Sequence, residues 1–353
     1  MNPKNPRPGV SIVIPCWNAA AHVGAAIQSA LAQRYPSVEV IVVDDGSTDQ
    51  SGAVIGAFGE RIRVATGPNG GACRARNKGL ALARGELVQY LDADDLLYPD
   101  KLAQMVPVAV AMGPKHLAVC DWERIDLGGG APRRQALRQV GDDTVVWCAH
   151  HGLQTASPLH WRCNLEAVGG FDEALPCAQE RDLHLRLACR GLRWAHVPEV
   201  LVRVRRRAHS LSSDPLRVFR QHAAIVLRAR ELLAAQGGLS DARAAALAGL
   251  LARDARLFFH AGQLAEARRY WRLAREIHPG GGLQHAYHPL QRPLVRPLGA
   301  VAFEGLLVVL KVPVVLGRAL ATVLAMAVRR RFSQRRSPGP FHLRRRPQQR
   351  PPD

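Results

Sequence analysis

The chain has no CxxC pair, and its seven cysteines (Cys16, Cys73, Cys120, Cys148, Cys163, Cys177 and Cys189) are odd in number and scattered. That argues against a disulfide framework or a zinc site and for reduced thiols. Residues 1–9 are polar and proline-rich and lack the apolar stretch of a signal peptide. A disordered N-terminus and a cytoplasmic location are therefore expected. GxGxxG is missing after the first apolar run, where Pro15-Cys16-Trp17-Asn18 stands instead, and this weighs against a NAD-binding fingerprint. Acids are also scarce, 29 against 48 Lys and Arg, and the formal charge is +19. The deficit concentrates at residues 203–207 and 329–346. Such a basic stretch is either a solvated tail or a match for an anionic surface such as phospholipid head groups.

What is present is enough apolar material for a large core, 47% of 353 residues, which excludes wholesale disorder. Val10-Ser11-Ile12-Val13-Ile14 reads as a buried strand closed by Pro15. Residues 19–33 carry Val23, Ile27, Ala30 and Leu31 at helical spacing, and residues 38–43 form a second buried strand. Strand, helix, strand at this length means a right-handed crossover and a parallel sheet. The rhythm continues with a helix at 49–58, a strand at 61–65, a helix at 71–83 and a strand at 86–91.

Two of these strands stop on acids, at Asp44-Asp45-Gly46-Ser47 and at Asp92-Ala93-Asp94-Asp95. Ligands of open parallel sheets bind beyond the carboxyl ends of the strands. Carboxylates gathered there repel one another unless a cation or bonded ligand holds them. Turn and cap chemistry is the plainer reading of such residues, but it does not need so many acids. An aspartate-lined edge also repels a phosphate backbone, so no specific nucleic acid is expected as partner.

Taken in order, Val10 to Asn18, Ile41 to Asp49, Ala75-Arg76-Asn77 and Tyr90 to Asp95 resemble the inverting family-2 nucleotide-sugar glycosyltransferases, over about residues 10–212. The resemblance implies an α/β fold: a Rossmann-like A-type domain with a mostly parallel central sheet, followed by an α-helical C-terminal region. It implies transfer of a sugar, with inversion, from a nucleoside diphosphate (uridine diphosphate foremost) to an acceptor hydroxyl in polysaccharide or glycoconjugate synthesis. The acceptor would be a glycan or a lipid-linked molecule.

Each motif has a chemical reading. Asp44 can accept the ring N–H of a pyrimidine; the resemblance adds Pro15 and Asn18 to the nucleoside site, and Trp17 can stack on the base. Asp92-Ala93-Asp94 resembles the Asp-x-Asp motif, with Asp94 and Asp92 as ligands of Mn²⁺ or Mg²⁺ that offset diphosphate charge. Arg76 opens a helix after Gly70-Gly71, where backbone approaches an anion; it is either a donor contact or a structural ion-pair partner.

Inverting transfer also needs one general base. The matching position is Glu180, although Gln179-Glu180 replaces the family's glutamate-aspartate order. Asp182 is the alternative, or a helix-start carboxylate. His209 falls near the expected diphosphate contact, closer to Ser210-Leu211-Ser212 than is usual, in what also reads as a basic exposed loop. The altered acidic pair keeps a second function open: a nucleotide-sugar-binding protein of the same fold with little or no turnover.

After residue 212 the pattern turns helical, at 216–235, 241–260 and 264–278. The last two helices have tetratricopeptide-like spacing, but a lone unit cannot bury its own face, so residues 213–280 are expected to be a helical appendage. A Pro/His-rich linker at 281–297 precedes an apolar segment at 298–331, where Glu304, Lys311 and Arg318 share one helical face and interrupt the run of about 18 apolar residues that a spanning helix needs. It either lies in the head-group region on the inner face of the cytoplasmic membrane or packs on the protein. Residues 332–353 read as a disordered basic tail.

Overall fold

The computed structural model describes residues 7–126, 131–137, 141–206, 214–280 and 282. His209, most of the 281–297 linker, the 298–331 segment and the basic tail lie outside the described residues.

The chain opens as a strand-helix alternation: β1 (Val10–Cys16), α1 (Ala20–Leu31), β2 (Val38–Asp44), α2 (Ser51–Gly56), β3 (Arg63–Thr66), α3 (Ala72–Leu82) and β4 (Leu87–Tyr90). β1 pairs in parallel with β2 and with β4, and β2 with β3. Ile12, Val13 and Ile14 of β1 are fully buried, which is why the strand reads as an unbroken apolar run rather than an alternation. Val23, Ala26, Ile27 and Ala30 supply the buried face of α1, at the 3.6-residue period of an amphipathic helix. Every element in this stretch lies within a few residues of its predicted place.

The second half is mixed. It adds β5 (Leu96–Leu97), α4 (Lys101–Met112), β6 (His116–Asp126), β7 (Arg133–Gln135), α5 (Thr144–His150), β8 (Pro158–Trp161), α6 (Arg162–Ala167), α7 (Gln179–Cys189) and β9 (Arg193–Arg206). The sheet order is β3-β2-β1-β4-β8-β6-β9-β5, with β7 against β6. β8 joins the two halves by pairing antiparallel with both β4 and β6. At Pro198 the register shifts within β9: Val197 pairs with Cys120 and Val200 with Asp121. This bulge takes the proline, which has no N–H to give, out of the ladder.

Three helices close the described chain: α8 (Pro215–Ala235), α9 (Asp241–His260) and α10 (Leu264–Ile277). Asp214 caps α8 by accepting from the backbone of Leu216 and Arg217, with Pro215 in the first turn, a combination that fixes a helix start. Polar latches hold these helices to the sheet domain. Arg228 of α8 bonds Asp172 and Asp182, Arg243 of α9 bonds Asp143, and Arg253 donates to the Ala149 carbonyl.

Candidate active site

The carboxyl ends of β1 and β2 finish side by side, with Cys16 opposite Asp44. Asn18 follows with φ of 47°, a left-handed conformation that asparagine tolerates better than most residues. Its side-chain oxygen accepts from the backbone of Thr48 at 2.8 Å and of Asp49 at 3.3 Å. Asn18 thus splices the two strand ends together. Asp44 accepts from Ser47 N at 3.0 Å across a turn made possible by Gly46, whose φ is 72°. A Cβ on Gly46 would stand 2.7 Å from the Asn69 nitrogen. Gly70 and Gly71 were expected to offer backbone to a ligand; instead their N–H groups donate to the Asp45 carboxylate at 2.9 and 2.8 Å.

Beyond this edge lies a cavity of about 410 Å³, lined among others by Asp44, Pro68, Arg74, Asn77, Lys78 and Glu173. Pro15 sits within β1, paired with Val43. Trp17, 57% exposed, leaves a large aromatic face open to solvent just past the strand.

Arg76 is the hub of the neighbouring region. Its guanidinium is buried, donates to Asp92 Oδ1 at 2.7 Å and to Gln179 Oε1 at 2.7 Å, and stands 3.5 Å from Glu180 Oε1. It also lies over the Phe171 ring, 5.0 Å from the centroid, a cation–π contact. Burial works against the charge, but Asp92 and then Glu180 outweigh it and hold the guanidinium more firmly protonated than in water. Of the two readings left open for Arg76, the ion-pair partner is the one described by these distances.

Phe171 is held in place by Asn77, which accepts from Phe171 N at 2.8 Å and donates to its carbonyl at 2.9 Å. The approach requires glycine at position 170: φ there is 68°, and a Cβ would stand 2.4 Å from Asn77 Oδ1. Gly170 and Phe171 went unread in the sequence, where Gly169-Gly170-Phe171-Asp172 looks like an ordinary turn.

Asp92, Asp94 and Asp95 follow β4. Asp95 is buried, accepting from Arg205 N at 2.9 Å and from Gln154 Nε2 at 2.7 Å. It ties the turn to β9 and to the segment before β8; Asp100 holds the α4 cap position. Burial first, and then the nearby Asp92, push the Asp95 carboxyl well above the ordinary carboxylate range. Arg205 Nε donates to the Asp94 carbonyl.

α7 brings up Glu180 in its first turn. The preceding Ala178 takes φ of 60°, a left-handed position that is strained for alanine. Glu180 Oε1 accepts from Thr155 Oγ1 at 2.9 Å. Asp182, one of the two candidate bases, is 1% exposed. Arg186 Nε and Nη2 meet its Oδ2 at 2.8 and 2.6 Å, and Arg228 meets Oδ1 at 3.0 Å. Both Asp182 oxygens are engaged in ion pairs, whereas Glu180 is partly exposed beside Arg76.

Residues 11–138 match the family described as Glycosyl transferase family 2. Residues 11–138 carry a family-2 glycosyl transferase domain. Succinoglycan biosynthesis protein ExoO of Rhizobium meliloti is 34% identical over 199 residues, 52% of this chain and 57% of that protein. The chain spans between 27% and 64% of the length of the first curated relatives it matches. The S. aureus TarS 1–349 complex with UDP-GlcNAc aligns with a TM-score of 0.65 at 19% identity, covering 84% of this chain and 88% of that one. A mannosyltransferase from Pyrobaculum calidifontis, in complex with GDP-Man and Mn²⁺, aligns with a TM-score of 0.50 at 20% identity, covering 86% and 88%. At these identities the likeness is one of fold: the A-type glycosyl transferase sheet followed by helices, as expected.

Among the described residues of the transferase domain, no three His, Cys, Asp or Glu side chains are gathered as a closed metal site. The chemistry at the end of β4 still suits a hard divalent cation. Asp92 and Asp94 offer oxygen ligands; burial first raises Asp95, and the repulsion that Asp92 and Asp94 add to it is what a cation would relieve. Mg²⁺ and similar ions commonly take one or two carboxylates and complete their shell from substrate phosphates and water.

Proposed function

We propose that this protein transfers a sugar from a nucleoside-diphosphate donor, uridine diphosphate foremost, to an acceptor hydroxyl with inversion at the anomeric carbon. The observation that carries this reading is the meeting of Asp92 and Glu180 at one guanidinium, that of Arg76. Two carboxylates from distant parts of the chain flank a single region at the carboxyl edge of the sheet.

In the proposed reaction Glu180 takes the proton of the acceptor hydroxyl as its oxygen bonds to the anomeric carbon. The bond from that carbon to the diphosphate oxygen breaks, and its electron pair leaves with the diphosphate. Asp44, Pro15, Asn18 and Trp17 are assigned to the nucleoside side, with Asn18 acting through the loop it splices. Asp94 and Asp92 would hold Mn²⁺ or Mg²⁺, which when bound supplies positive charge against the leaving diphosphate. Arg76 belongs to the donor side through Asp92. The kinship with a succinoglycan biosynthesis protein supports a glycan or lipid-linked acceptor.

Mass spectrometry of products from a panel of nucleotide sugars with Mn²⁺ present tests this reading. Nucleotide binding with neither transfer nor donor hydrolysis across the panel would favour a binding protein instead. We also propose a peripheral place on an anionic membrane, from the composition of residues 298–331. No described helix is long and apolar enough to cross a membrane. Failure of the full-length protein to float with anionic vesicles at low salt would overturn that location.

A further inference from the structure

Just before β8 runs a short segment, Gln154-Thr155-Ala156-Ser157, to which composition and period assign no role. Its backbone and side chains are tied at several points. Gln89 donates to the Ala156 carbonyl at 2.9 Å, and the buried Lys101 donates to the Ser157 carbonyl at 3.0 Å. Ser157 Oγ donates to the Cys120 carbonyl at 2.6 Å, and Gln154 Oε1 accepts from Ala156 N at 2.6 Å. From this anchored backbone two side chains rise toward the carboxylates of the cleft. Gln154 reaches Asp95 at 2.7 Å and Thr155 reaches Glu180 at 2.9 Å.

We propose that Thr155 is a positioning residue for the general base: its hydroxyl fixes Oε1 of Glu180 and so leaves Oε2 to receive the acceptor proton. The inference rests on the assignment of Glu180 as base. Among the described residues both contacts of this carboxylate, Thr155 at 2.9 Å and Arg76 at 3.5 Å, fall on the same oxygen. The balance of donors suits a base. A carboxylate that accepts several strong hydrogen bonds becomes too weak to take a proton. One neutral hydroxyl, with the guanidinium beyond tight bonding distance, orients the group. Thr155 is itself buried, so the bond faces little competition from water. A carboxylate rotating freely about its side-chain torsions would lose the near-attack geometry on which proton transfer depends.

The test compares Thr155→Val, which keeps the shape and removes the hydroxyl, with Thr155→Ser, which keeps the hydroxyl, using Glu180→Gln as reference. Thr155→Val should lower kcat about tenfold, the lower range for one hydrogen bond to a charged group. The donor KM should hold, and the acid limb of the kcat profile should move to higher pH. Thr155→Ser should recover most of the loss. Carbon-13 NMR of the glutamate carboxyls follows the same contact without turnover, and the Glu180 carboxyl resonance should move in Thr155→Val. Wild-type kcat with an unmoved Glu180 resonance in Thr155→Val would overturn the proposal while leaving the base assignment standing. An equal loss in both variants with a raised donor KM would also overturn it. Wild-type turnover in Glu180→Gln would remove the base assignment itself, and the proposal with it.

Discussion

Arg76 stands 2.7 Å from Asp92, and this pair is where the donor side of the cleft meets the helix that carries the proposed base. Three anionic or polar groups and one ring converge on a guanidinium with little access to water. Removing that cation leaves Asp92 and Glu180 facing each other without compensation.

Arg76→Met should therefore cost about 3 kcal/mol of stability, the scale of a broken buried pair, and reduce turnover as well. Urea unfolding measures the first and donor hydrolysis the second. A variant of unchanged midpoint would show the guanidinium to be a bystander.

Glu180 and Asp182 separate by readout. Glu180→Gln should lose at least ~10²-fold in turnover with donor affinity little changed, the lower end for a general base. Asp182→Asn should instead lower stability by about 2 kcal/mol, because both of its oxygens are bonded to arginines. The reverse pattern would move the base to Asp182.

Asp94→Ala should abolish metal-dependent transfer with the fold intact, since a methyl group neither ligates an ion nor offsets diphosphate charge. Full activity in a Mn²⁺ titration, with unchanged circular dichroism, would sink the metal assignment.

His160 and His184 stack in the core, rings 5.5 Å apart and 4° from parallel. His160 Nδ1 and both nitrogens of His184 have no hydrogen-bond partner among the described residues. Burial, then Arg186, pushes His184 down to about 3, and burial, then His184 and Lys101, pushes His160 well below its ordinary value. Both stay neutral in the fold and gain protons on unfolding below the ordinary value of 6.5. Their contribution is full above that pH and declines as pH falls toward the folded values, by about 1.4 kcal/mol per unit for each imidazole. The urea midpoint should drop between pH 6.5 and 4.5, and drop less in His184→Gln. A midpoint flat over that window would contradict the neutral pair.

β1 and β2 were legible because each is a seven-residue, largely buried apolar run, and because Asp44 and Asp92 interrupt the runs of β2 and β4 abruptly; β3, half exposed, was placed by the strand-helix rhythm. α4 was not legible: Pro107 lies inside it, where proline ordinarily breaks a helix. The burial of Leu102, Met105, Val106 and Ala109 accompanies the helix all the same. β8 is four residues long and paired on both sides, too short for a period of two to declare itself. Arg76 and Asp182 were ambiguous for a different reason. Their roles depend on partners 103 and 46 residues away, and no local pattern encodes such a meeting.

The bonds of Arg228 to Asp172 and Asp182 have a consequence for anyone wishing to rebuild this protein. The C-terminal helices are fastened on both sides of the loop that sets Ala178 and Glu180 in place, so they serve as a splint for the proposed base rather than as a separable module. A chimera that exchanges them for the helices of a relative must carry an equivalent of Arg228. Without it, the graft would lose the brace on Asp172 and Asp182 that borders the loop leading to Glu180.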